Sequence, residues 1–200
     1  MSCVKVFLIL FSLLVILLTT FSSAVLINEF TTDPQTDWNG VGNASSADEW
    51  IELYNGGQED VNLTGWRIEM VDSSNSTQNL SGMILPGNYK ILLDPTGTIN
   101  NDGQLRLYNS DGNLVDSVSF GDFEDENVSD NAEDGNANEI NNECLARIPN
   151  GQDTNNDAND FQKILCSFGF LNKIIPYNEQ DLEVTILGRI VFQVTPRTLE

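Results

Sequence analysis

The stretch Asp48-Glu49-Trp50-Ile51-Glu52-Leu53-Tyr54-Asn55, followed after a polar interval by Leu63-Thr64-Gly65-Trp66, decides the fold class of this chain. Residues 49–54 alternate. Ile51 and Leu53 fall on one face, and Trp50, Glu52 and Tyr54 on the other, which is the period-two signature of a strand. In the strand that follows, Trp66, Ile68 and Met70 share a face opposite Arg67 and Glu69. Trp50, Trp66 and Tyr54 read as packing anchors, a role their large apolar area favours over ligand stacking.

The same pattern extends outward in both directions. Residues 25–31 form a candidate strand before this pair. After it, the Pro86-Gly87-Asn88 turn introduces residues 89–93, Leu105 and Leu107 alternate with Arg106 and Tyr108, and Asp111-Gly112 is a hairpin signal ahead of residues 114–120. Residues 144–148 and 161–165 are short closing strands. Short alternating runs punctuated by Gly, Asn, Asp and Pro, with no long segment at helical spacing, indicate an all-β sandwich or barrel. Asp116 shares a face with Val118 and Phe120, so it either sits at a sheet edge or accepts backbone hydrogen bonds. Residues 121–142 are rich in Asp, Glu and Asn, and a loop of that length is functional or disordered.

The N-terminus has the layout of a secretory signal peptide. A short basic start ends at Lys5, residues 6–18 are apolar apart from Ser12, and Ser22-Ser23-Ala24 offers small residues for cleavage. The competing reading is an uncleaved anchor, for which the run is short, and this segment is the one route expected to a membrane. Loss of residues 1–24 removes Cys3 and leaves Cys144 and Cys166, an even pair whose natural reading in an oxidising compartment is one disulfide. Five sequons, at Asn43, Asn62, Asn75, Asn79 and Asn127, are candidate glycosylation sites. The expected organisation is a leader at 1–24, a β-domain at 25–172, a linker at 173–181, and at 182–200 a β-hairpin or the start of a second β-module.

Charge and composition narrow the chemistry. Thirty Asp and Glu against nine Lys and Arg, with no His, give a net charge of −21. Such a field repels nucleic-acid phosphates and argues against direct nucleic-acid binding. Without histidine there is no Ser-His-Asp triad, Cys-His nucleophile or His-ligated metal, and no nucleophile-elbow or phosphate-loop motif occurs. Carboxylates are so abundant that a pair suited to glycoside hydrolysis would arise by chance, and no enzyme activity is expected. Calcium is the one cofactor with a motif. Asp153, Asn155, Asp157 and Asp160 supply oxygen at near-alternate positions, although Ala158 and Ile164 stand where an EF-hand needs glycine and glutamate. Asp122, Glu124, Asp125 and Glu126 in the acidic insert are a second candidate, and a solvated acidic loop is the simpler reading of both.

The order of these motifs resembles the lamin-tail domain family in its secreted prokaryotic form. Ile27-Asn28-Glu29-Phe30, the 48–55 strand, Val61-Asn62-Leu63-Thr64-Gly65-Trp66, Leu85-Pro86-Gly87-Asn88-Tyr89 and Asp111-Gly112-Asn113-Leu114-Val115-Asp116 are similar to its successive signatures. Ala146-Arg147-Ile148-Pro149, Gly169 and Asn172 resemble its ending, with Phe168 where a proline often precedes the terminal glycine. The resemblance covers residues 25–172 and implies an immunoglobulin-like β-sandwich, for which the alternating strands argue independently. It also implies a non-catalytic module for attachment or interaction outside the cell or at its surface, with a protein or cell-envelope component as partner. Two alternatives stand beside it. One is a carbohydrate-binding module using Trp38 of the 31–48 loop as a sugar platform, unless that ring folds back as a loop anchor. The other is an accessory domain of a secreted hydrolase, motivated by the unfinished character of residues 182–200.

Overall fold

The computed structural model of the protein describes residues 25–125, 127–136 and 142–174. The leader, Glu126, the linker beyond Ile174 and the expected C-terminal hairpin lie outside the described residues. β1 (Val25–Thr31), β2 (Trp50–Asn55), β7 (Tyr89–Leu93), β10 (Glu143–Arg147) and β11 (Phe161–Leu165) form a sheet in the order β11-β10-β1-β2-β7. β4 (Arg67–Val71), β5 (Asn75–Asn79), β8 (Gly103–Tyr108) and β9 (Leu114–Phe120) form a second, ordered β5-β4-β8-β9. A short pair joins β3 (Val61–Asn62) to β6 (Met83–Ile84). The pairings among these strands are antiparallel. The arrangement is an immunoglobulin-like β-sandwich, as the family resemblance implies, and its facing sheets accord with the strand periodicity.

The two sheets bury one core. Ile27, Phe30, Ile51 and Leu53 from the first meet Ile68, Met70, Leu105, Leu107, Val118 and Phe120 from the second. Phe30 packs against Phe120 at 4.9 Å between ring centroids. The register of β1 on β2 shifts between Ile27 and Glu29, a bulge that lets Ile27 and Phe30, three residues apart, both point inward.

β1 is buried at all seven positions, so the first sheet is covered on its outer face too. Trp38 arrives from the β1–β2 loop and stacks on Phe168 at 4.5 Å, and both rings stand edge-on to Trp50. Trp50 is therefore an anchor of this outer layer rather than of the central core. Tyr54 packs on Tyr89, and Trp66, which lies just before β4, is partly buried against the core. Cys144 and Cys166 form the expected disulfide, which ties β10 to the residue following β11 across 5.0 Å between Cα atoms.

β5 and the β3–β6 pair carry no apolar alternation, and strand periodicity does not predict them. β5 reads Asn-Ser-Thr-Gln-Asn and is held as an edge strand by its ladder to β4. Part of the 121–142 insert is ordered: a 3-10 turn at Val128–Asp130 follows the first acids, and Ala132 bridges to Phe120.

Candidate functional site

The residues of the candidate calcium loop surround a guanidinium. Arg147 is fully buried, and each of its three nitrogens is hydrogen-bonded. Nε donates to Ile27 O at 2.8 Å, Nη1 to Gln152 O at 2.7 Å and Asp160 Oδ2 at 3.2 Å, and Nη2 to Asp116 Oδ1 at 3.0 Å. Its plane lies 4.6 Å above the Phe161 ring. Asp160 begins no oxygen cage, because its carboxylate also accepts from Thr154 N, Thr154 Oγ1 and Gln152 Nε2. Asp157, at the start of the single helical turn α1 (Asp157–Asp160), accepts from Ser119 N at 2.8 Å. Asp153 caps Asn155 N at 3.1 Å and stands 3.8 Å from Arg147, while Asn155 takes the left-handed backbone that asparagine tolerates. Asp153, Asp157 and Asp160 do not bring one carboxylate oxygen each within 4.8 Å of one another. The cation that Asp153 and Asp160 meet in this structure is the Arg147 guanidinium. Burial pushes Asp116 up to about 6 although Arg147 pulls it down, and pushes Asp157 up to about 7 against its bond from Ser119. Asp116, which also accepts from Ile27 N at 2.7 Å, fulfils the expectation that it takes a backbone hydrogen bond.

A second buried polar cluster clasps the chain end over the outer face of β1 and β2. Glu29 and Glu52 are cross-strand partners, and both are inaccessible to solvent. Glu29 accepts from Ser167 N at 2.7 Å and from Ser167 Oγ, while Glu52 accepts from Asn28 Nδ2 at 2.8 Å and Gly169 N at 2.7 Å. Asn172 Nδ2 donates to the carbonyls of Asn28 and Arg147, both at 3.1 Å. Burial raises Glu29 to about 8, with the nearby Glu52 adding to it, and raises Glu52 to about 7. These two carboxylates are neighbours across the β1–β2 ladder, buried and engaged in holding residues 167–172.

The loops form the accessible surface. Thr32 Oγ1 lies 2.8 Å from Asn101 Oδ1 and 2.7 Å from Gly135 O, with one proton to donate between them, and Gly135 N donates to Asn101 O at 2.7 Å. Asp122 N donates to Asp102 Oδ1 at 3.0 Å, and Ile99 N to Glu49 Oε2 at 2.6 Å. Within the 32–48 loop, Asp48 accepts from Asn39 N at 2.8 Å and Ser45 N at 2.9 Å; burial pushes its carboxyl up, but these donors outweigh it and hold it below the ordinary range. Asp102, Gly121, Asp122 and residues from 128 to 136 line a cleft of about 420 Å³, with Asn131, Glu133 and Asp134 among them. Gly121, at φ 63°, has no room for a Cβ, which would overlap Asp102 Oδ1.

The Lamin Tail Domain family model matches residues 19–122. The chain belongs to the lamin-tail domain family. No curated protein matches it. The family is one of Ig-like domains, generally non-enzymatic, and this fold is that of a non-catalytic interaction module. In this lamin-tail domain the matched span ends just after β9, whereas β10 and β11 complete the first sheet beyond it. Phe168, the departure from the usual proline, is the ring that stacks on Trp38. Trp38 therefore takes the loop-anchor role, with one face of its indole covered. Asn43, Asn62, Asn75, Asn79 and Asn127 are all exposed, two of them on β5.

Sequence reasoning missed Arg147 as a hub, the Glu29–Glu52 clasp and the part of Asp102 and Asn131 in the cleft. Arg147 had a visible signal, a lone charge within the apolar run 144–148. Asp102 had none, because its partner in the cleft wall is twenty residues away.

Proposed function

We propose that this lamin-tail domain is an extracellular interaction module, exported by the leader at 1–24 and engaging a protein or cell-envelope partner through its loop surface. The observation that carries this reading is the cross-linking of the 94–102 loop to Thr32, to Glu49, to Asp122 and to Gly135, in which Glu49 and Asp102 accept from Ile99 N and Asp122 N. A surface fixed in this way loses little conformational entropy on binding. Its acidic character suits a partner that presents basic groups. The most deeply buried carboxylates are engaged in hydrogen bonds that hold the fold together.

The test is cross-linking of the purified protein to envelope fractions of its producing cell. The expected result is a discrete adduct that is lost when Asp102, Asp122 and Glu133 are replaced by their amides and kept when Asp111 and Glu59 are. Equal capture by both variants would refute the loop surface. Glycan binding abolished by Trp38→Ala without loss of folding would instead favour the carbohydrate reading.

A further inference from the structure

We propose that the outward face of the β5-β4-β8-β9 sheet binds a polysaccharide that carries widely spaced carboxylates, which the guanidinium groups of Arg67 and Arg106 receive. This face is separate from the loop surface, and the inference does not depend on the role given to those loops. The ladder register sets Arg67 beside Tyr108 and Glu69 beside Arg106, with Asn79 and Thr77 of β5 next to Arg67 and Glu69. Ile68, Met70, Leu105 and Leu107 alternate with them and fill the core, so these side chains point to the opposite, solvent side. Two arginines against one glutamate make this part of the face positive in a chain whose net charge is −21.

Both guanidinium groups are held in place by their neighbours. Arg67 Cζ lies 4.0 Å from the centroid of the Tyr108 ring, and Nε donates to Glu69 Oε1 at 3.0 Å. Arg106 Nε donates to Gln104 Oε1. Ser119 Oγ donates to Asp125 Oδ2 at 2.6 Å and accepts from Gln104 Nε2 at 2.8 Å, which turns the amide oxygen toward Arg106. Among the described residues, Nη1 and Nη2 of both arginines have no acceptor. Each is thus a pre-set planar fork of the kind that takes a carboxylate in two parallel bonds. Arg67 and Arg106 are diagonal neighbours, a spacing of about 7–8 Å, so the forks can take one carboxylate each along an extended chain. The exposed Thr77 and Asn79 and the Ser117 beside Arg106 both donate and accept, as sugar hydroxyls do. A densely charged chain would be repelled by the rest of the molecule, whereas isolated carboxylates meet the positive face within a Debye length of about 8 Å.

Calorimetric titration of the full chain with hyaluronan oligosaccharides, in which every second sugar carries a carboxylate, tests this at physiological salt. The protein is produced without N-glycosylation, so that Asn75 and Asn79 are bare. The expected result is binding that Arg67→Gln/Arg106→Gln weakens by about tenfold or more. Lys163→Gln/Lys173→Gln, an equal loss of charge elsewhere, should change it by less than about twofold. Arg106→Lys keeps the charge without the fork and should still weaken binding by about threefold. Near-ultraviolet dichroism verifies that each variant is folded. If the first double variant does not fold, Arg106→Gln alone is used, with an expected loss of about threefold or more. Absence of heat at about 5 mM oligosaccharide would overturn the proposal, as would equal weakening by the two double variants. Equal binding of neutral dextran would remove the carboxylate from the argument, and equal binding of poly-glutamate would assign the face to an acidic protein; either result overturns it.

Discussion

Replacing Arg147 by methionine keeps the side-chain length and removes the guanidinium. Two carboxylates, of Asp116 and Asp160, are then left with side-chain exposures of 3% and 0% and no cation within bonding distance. The carbonyls of Ile27 and Gln152 lose their donors as well. Breaking a buried ion pair from one side costs about 3–5 kcal/mol. Asp116 and Asp160 retain bonds from Ile27 N, Thr154 and Gln152, which places the expected loss near the middle, at about 4 kcal/mol. For a domain of this size that lowers the melting temperature by roughly 8–16 °C. The loss should shrink at mildly acid pH. Asp116 already stands at about 6, and without Arg147 its carboxyl moves higher still and is neutral by pH 5. Urea unfolding of the disulfide-intact protein at about pH 7.5 and about pH 5 reads both effects. Arg147→Lys keeps the charge but not the planar fork and should recover less than half of the loss. A loss under about 1 kcal/mol at the higher pH, or one that is the same at both, would refute the reasoning.

The other predictions concern the clasp, the disulfide and the cleft wall. Glu29 at about 8 and Glu49 and Glu52 at about 7 bind protons more tightly in the folded chain than in the unfolded one. Stability should therefore be greatest near pH 5 and fall as the pH rises through about 8, and Glu29→Gln should flatten that slope; urea midpoints that rise with pH would contradict it. Cys144→Ser/Cys166→Ser opens a loop with a sequence separation of 22. The chain-entropy account puts its cost at about 3 kcal/mol, measurable by calorimetric melting. Gly121→Ala must displace Asp102 or abandon a φ of 63°. It should lose about 1–3 kcal/mol in urea unfolding, and a neutral result would mean that the wall yields freely.

Alternation at residues 49–54 and 114–120 was enough to place β2 and β9, because one sheet face faces a core and the side-chain period is two. The same logic was silent about Glu29 and Glu52, which alternation assigns to an outer face. They are buried because Ser167 and Gly169 arrive from 138 and 117 residues away. Trp38 could be read as a platform or an anchor from the chain alone, and Phe168 decided between them by stacking on it. The candidate calcium residues at 153–160 are oxygen-rich by composition, and only the fold reveals that Asp160 bonds Arg147 and that Asp153 stands 3.8 Å from it.

By itself the sequence determined the all-β class, most strand positions, the lamin-tail resemblance and the pairing of Cys144 with Cys166, since all of these follow from local periodicity, motif order or residue count. The tertiary structure alone decided which carboxylates are buried, that β5 forms at all, and that the buried Asn131 ties the carbonyls of Gly121 and Phe123 together. These depend on groups far apart in the chain meeting in space, and no local pattern encodes the desolvation or the hydrogen bonds that result.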